Sequence, residues 1–255
     1  MTLAQCDRLL IWVALGGLVL LCWLYLVRMS LSMGSMDGMM NEAMGLRPWQ
    51  VKDFILMFAM WAIMMIGMMV PTAMRSVMVF SRIGAKASAQ GQSFTPTLWF
   101  VTGYGLIWVF FSFGATLLQW GLEQAALLSP MMVSTSIYLG SSILILSGLW
   151  QLSPMKDTCL RHCQSPALYI ANNFRPGISG ALKLGIKHGL YCLGCCWVLM
   201  GLLFVGGVMN LLWIAAITGF VLAEKLLPAN LQISRLSGCG LILSGLAVLV
   251  WKLTT

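Results

Sequence analysis

The chain has 255 residues, 60% of them hydrophobic and only 9% charged, with a mean hydropathy of +0.90. An ordinary soluble domain carries about 25% charged residues, so this composition argues against a water-soluble enzyme or binding module. The net charge of +8 is spread along loops, where it reports topology and gives little support to a nucleic-acid partner.

A helix needs about 20 apolar residues to cross the hydrocarbon layer, and backbone groups in lipid must be satisfied within the segment. In chain order, spans are predicted over residues 9–27, 54–70, 97–120, 131–149, 189–205, 208–227 and 237–251. Residues 189–223 form one uncharged stretch, too long for a single span, and Gly206-Gly207 is expected to break it into a hairpin. The expectation is an all-α, polytopic transmembrane bundle of about seven helices, a single integral membrane domain over residues 1–255. The apolar core of the first span is too long for a cleaved signal peptide, and no small-x-small site follows Val27.

With that arrangement, eleven of the 15 Lys and Arg residues fall at the N-terminus or in the loops after the second, fourth and sixth spans. The positive-inside rule then puts the N-terminus in the cytoplasm. It also puts a Met-rich loop, 28–52, outside and a Cys/His loop, 150–188, in the cytoplasm.

Sulfur is concentrated in two regions. Of the 20 methionines, 14 lie between Met29 and Met78. In the outer loop, Met33, Met36 and Met39 recur at steps of three, close to Asp37 and Glu42. In the second span, Met57, Met60, Met64 and Met68 fall on one helical face. A thioether is a soft, neutral ligand that selects Cu(I) over hard cations, and it holds a cation in lipid without burying fixed anions. Methionine also fills gaps in apolar cores, so packing is the competing account of that face.

The cysteines form the other region. Cys159, His162 and Cys163 lie in CLRHCQSP, and His188, Cys192, Cys195 and Cys196 in GIKHGLYCLGCCWVLM. Positions 188, 192 and 195 share a helical face. Cys6, Cys22 and Cys239 stand alone, and a lone membrane cysteine is by default a small apolar filler. Thiols on the cytoplasmic side stay reduced, which favours a metal or redox role over a disulfide framework. Counting 1.5 Å per residue inward from Lys187 puts Cys195 at a depth of about 12 Å, and Met60 is as deep counted from Lys52. The two sulfur tracks therefore meet near the midplane if the second and fifth spans touch. Asn210 and Glu224, at helix ends, read as capping or packing groups.

The blocks MMIGMMVP, QLSPMKDTCLRHCQSP, KHGLYCLGCCWVLM, and GVMNLLW followed by Glu224-Lys225 resemble a bacterial domain-of-unknown-function family of predicted metal-binding integral membrane proteins. The resemblance covers about residues 50–227. It implies a multi-pass protein of the bacterial inner membrane with metal binding and no established reaction. It also implies that Met64, Met68, Met69, Cys159, His162, Cys163, His188, Cys192, Cys195 and Cys196 sit at family motif positions.

Three functions compete. The first is transport or delivery of Cu(I), collected by Met33, Met36, Met39 and Met40 and passed along Met57, Met60, Met64 and Met68. The ion is then received by His188, Cys192, Cys195 and Cys196 and released at Cys159, His162 and Cys163. The second is a thiol–disulfide oxidoreductase using the CxxC of Cys192 and Cys195. The third is an accessory subunit with a structural zinc, which prefers four sulfur or nitrogen ligands. An enzymatic role is the less favoured, and there is no GxxxxGK[ST] motif to bind nucleotide. Expected partners are membrane lipid, a metallochaperone or copper enzyme, and a second copy of the chain, with no nucleic acid.

Overall fold

Lipid offers no water to hydrogen-bond a backbone, and the described residues meet that demand with helices. The computed structural model describes residues 3–40, 49–93, 95–129, 132–227 and 232–254, with the backbone alone for 3–8 and 32–40. In chain order the helices are α1 (Leu3–Met40), α2 (Val51–Ala89), α3 (Thr97–Gln124), α4 (Ile137–Gln151) and α5 (Pro154–Gln164). They continue as α6 (Pro166–Asn173), α7 (Ile178–Gly201), α8 (Leu203–Gly206), α9 (Leu211–Leu226) and α10 (Ile233–Thr254). Among the described residues there is no strand, only an isolated bridge between Leu128 and Ser134. Five stretches are long and apolar enough to cross a membrane: Leu9–Leu31, Val51–Ala89, Thr97–Gln124, Ile178–Gly206 and Ile233–Thr254. They mark a membrane protein. Ile137–Gln151 is a shorter apolar helix.

Two segments expected to be loops carry helix among their described residues. The chain from residue 28 onward continues α1 through Met40, because methionine is a good helix former and isolated glycines only weaken a helix. Residues 150–188 hold α5, α6 and the start of α7. Ser153-Pro154 and Ser165-Pro166 each put a serine at the N-cap and a proline in the first turn, a helix-starting pair. The expected break is present: α8 ends at Gly206, Gly207 takes a φ of 94°, and Asn210 Oδ1 accepts from Trp213 N at 3.2 Å to cap α9.

Glycines set the closest helix contacts. Gly185 and Gly189 form a small-xxx-small pair on α7, the pattern that lets membrane helices approach. A side chain at Gly185 would collide with the Phe100 carbonyl of α3, and one at Gly103 with the Leu182 carbonyl of α7. α3 packs against both α2 and α7. On the far side of the bundle, α4 packs on α10, where Gly148 and Gly238 meet backbone to backbone.

Candidate metal centre

The middle of α7 is rich in buried sulfur. Cys192, Cys195, Cys196 and Met200 are all buried, as the i, i+3, i+4 and i+8 spacing requires of one helical face. The thiols of Cys195 and Cys196 each donate to the Cys192 carbonyl at 3.0 Å. One turn earlier His188 is buried, its ring 5.8 Å from that of Phe100 and 5.9 Å from that of Tyr104. Its Nδ1 has no hydrogen-bond partner, which is costly for a buried polar atom.

α5 brings two more thiols. Cys163 is buried against Cys192 and Cys195, and hydrogen bonding to them, together with burial, pushes its thiol well above the usual value. Cys159 rests on the α7 backbone: a Cβ at Gly194 would lie 2.9 Å from its Sγ. Gly194 inside CLGCC is thus the place where α5 presses onto α7. Burial pushes the Cys159 thiol up as well.

α2 contributes thioethers. Met60, Met64, Met65, Met68 and Met69 are fully buried and belong to the same cluster as Cys163, Cys192, Cys195 and Cys196, with Met57 and Cys159 packed against it. The two sulfur tracks belong to one buried cluster, and α2 and α7 both lie against α3. Two side chains bridge them. Tyr104 of α3 donates its hydroxyl to the Met69 carbonyl at 3.0 Å and lies 3.1 Å from Cys192 Sγ. Lys225 of α9 donates to Thr72 Oγ1 of α2 at 3.1 Å and to Cys192 Sγ at 2.9 Å.

Not every expected residue joins this centre. His162 is half-buried and stacked on Tyr191 at 4.2 Å, and its Nδ1 bonds the Thr158 carbonyl at 2.8 Å. The side chains of Met33, Met36 and Met39 lie outside the described residues. Glu224 is buried and accepts from Lys156 at 2.6 Å, so it faces that ammonium rather than the thiols. Among the described residues, no three His, Cys, Asp or Glu side chains converge to hold a metal ion. The density of donors comes from combining thiols with thioethers.

Tyr104, Lys156 and Lys225 were not anticipated as core groups. Both lysines count as loop charges in a topology argument, yet each is at most 4% exposed. The signal for Lys225 was its place beside Glu224 at the end of an apolar run, where adjacent opposite charges on a helix must point to different sides.

The family model of PpoB2 copper chaperones matches residues 58–248. The chain belongs to this family. PpoB2 membership gives it a copper-related function, consistent with the metal-related part of the resemblance drawn from its motifs. The PpoB2 region takes in Met60 to Met69 and every thiol of α5 and α7, and it leaves Met33 to Met57 outside. No curated protein and no solved structure matches the chain.

Proposed function

We propose that this protein carries Cu(I) in the inner membrane of a bacterial cell, holding the ion in the buried sulfur cluster and handing it to a copper-requiring partner. The observation that supports this best is the junction at Cys192. There the thioether face of α2 and the thiols of α7 and α5 share one dry core, tied by Tyr104 and Lys225. In this reading seven helices span the bilayer, with the N-terminus in the cytoplasm.

The chemistry follows from softness and charge. Neutral thioethers of Met60, Met64, Met68 and Met69 receive the ion without demanding a proton or a fixed anion. Thiolate from among Cys192, Cys195 and Cys196, completed by a thioether of α2, holds it more strongly, each thiol that binds copper releasing one proton. His188 Nδ1, buried and unpartnered, is the nitrogen donor one turn away. Cys163, Cys159 and His162 lead from there toward the surface of α5. Zinc would call for four sulfur, nitrogen or oxygen ligands in a closed tetrahedron, a weaker match to a thioether-rich core.

The test is Cu(I) titration of the reduced, detergent-purified chain under argon, followed by elemental analysis. Stoichiometric copper is expected, falling when Cys192, Cys195 and Cys196 are replaced together by serine. Copper content unchanged in that variant would overturn the assignment. Quinone reduction dependent on Cys195 and insensitive to metal removal would transfer it to a thiol–disulfide oxidoreductase.

A further inference from the structure

α3 carries a buried polar and aromatic stripe of its own. Tyr104, Trp108, Ser112, Thr116 and Gln119 are buried at helical spacing, and Glu123 continues the stripe one turn further, half-buried. From Tyr104 to Glu123 the helix rises about 28 Å, close to the hydrocarbon thickness of about 30 Å. One end of the stripe touches Cys192 through Tyr104. The other ends in a carboxylate.

That upper end is bonded to the thioether track. Trp61 Nε1 donates to Gln119 Oε1 at 2.7 Å, and Gln119 Nε2 donates to Glu123 Oε1 at 2.8 Å. The same Gln119 amide lies 3.8 Å from Met57 Sδ. Trp49 Nε1 donates to the second carboxylate oxygen at 2.8 Å. These donors are neutral. Among the described residues the one ion pair is Lys156–Glu224, on the α5 side of the bundle, so Glu123 has no cationic partner among them. Asp53, the acid in the first turn of α2, is half-buried and accepts from Gln50 N at 2.9 Å in the capping box of its own helix.

We infer that Glu123 admits the cation at the Trp49 end of the bundle and delivers it to Met57, the first thioether of the track. This rests on the copper reading and adds the site at which the ion first meets the protein. A carboxylate whose partners among the described residues are all neutral, set at the mouth of a low-dielectric lane, concentrates cations there and speeds their capture. Carboxylates suit hard ions better than soft ones, so Cu(I) is attracted by charge and released to sulfur. Gln119 holds the carboxylate and the thioether side by side, and the Trp49 indole covers the carboxylate.

The experiment uses the full detergent-purified chain and Cu(I) supplied as its cationic acetonitrile complex under argon, with stopped-flow absorbance reading copper–thiolate formation. Glu123→Gln keeps the shape of the side chain and removes its charge. Loading at low ionic strength should slow about tenfold, the difference should shrink as salt is raised, and the final copper content should stay that of the unmodified protein. Glu123→Asp, which keeps the charge, should load near the original rate. Equal rates for the original and Glu123→Gln chains would overturn the inference while leaving the copper reading intact. Equally slow Asp and Gln variants would also overturn it, since packing rather than charge would then be at work. An unmodified chain that binds no Cu(I) would bring down both.

Discussion

Lys225 of α9 donates to the Cys192 sulfur of α7 at 2.9 Å, in a place where the lysine is 4% exposed and the cysteine 2%. A buried ammonium is tolerable only with an opposite charge and hydrogen bonds. Glu224, its neighbour in sequence, is engaged with Lys156 and Ser234. The remaining recorded acceptors of Lys225 are a hydroxyl and a sulfur. Sulfur is thus the acceptor that faces the ammonium, which orients Cys192 at the centre of the cluster.

Replacing Lys225 by methionine keeps much of the volume and removes the donor. Groups that orient metal ligands typically cost about 10- to 100-fold in metal affinity when lost. Lys225→Met should accordingly weaken Cu(I) binding by at least about tenfold, measured by competition with a Cu(I) chelator. The double replacement Lys156→Met with Glu224→Leu, which removes the other buried lysine together with its counter-charge, should leave that affinity close to its original value.

The network explains how far the sequence could be read. The thioether face on α2 and the thiol face on α7 follow from spacing alone, because a helix fixes which side chains share a side. The Gly206-Gly207 turn and the Asn210 cap are local events with local signals. Tyr104 and Gln119 are different: each matters because of a residue on another helix, and their immediate neighbours in sequence carry no trace of that pairing. The α5–α6 segment reads as loop because its polar composition masks two Ser-Pro helix starts. Lys156 counts among the loop charges because its partner lies 68 residues away.

The Lys156–Glu224 pair should be a point of fragility. Its side chains are 0% and 2% exposed, with Nζ 2.6 Å from Oε1. Glu224→Gln leaves an ammonium buried without a counter-charge, and breaking such a pair costs about 3–5 kcal/mol. The variant should unfold at markedly lower denaturant concentration in micelles. A double replacement, Lys156→Met with Glu224→Leu, should recover most of the loss, since apolar pairs of similar volume replace buried ion pairs at little cost.

The junction of α3 and α7 offers a contrast between two glycines. Gly185 faces the Phe100 carbonyl so closely that an added methyl collides with backbone, whereas nothing lies within 4 Å of a Cβ at Gly105. Gly185→Ala should destabilise the fold by about 1–3 kcal/mol or more, as overpacking does. It should also disturb copper binding, because α3 carries Tyr104 and α7 carries Cys192. Gly105→Ala should be neutral in both thermal unfolding and copper titration. Equal behaviour of the two variants would show that close approach of these helices is not what fixes the site.

The methionines of α2 pose the sharpest choice between packing and coordination, and conservative substitution separates the two. Leucine is close to methionine in volume, and such swaps usually cost less than about 1.5 kcal/mol. If Met60, Met64 and Met68 only fill space, replacing all three by leucine changes neither stability nor copper handling. The copper reading requires a split instead. Unfolding should move little, and the thiols of Cys192, Cys195 and Cys196 should still bind at equilibrium. Cu(I) loading should nevertheless slow by at least tenfold, since the track between Met57 and Cys192 would have lost its soft donors; about 1.4 kcal/mol in barrier corresponds to that factor. Loading at the original rate in the triple variant would assign the methionines to packing and leave the thiols as the whole of the site.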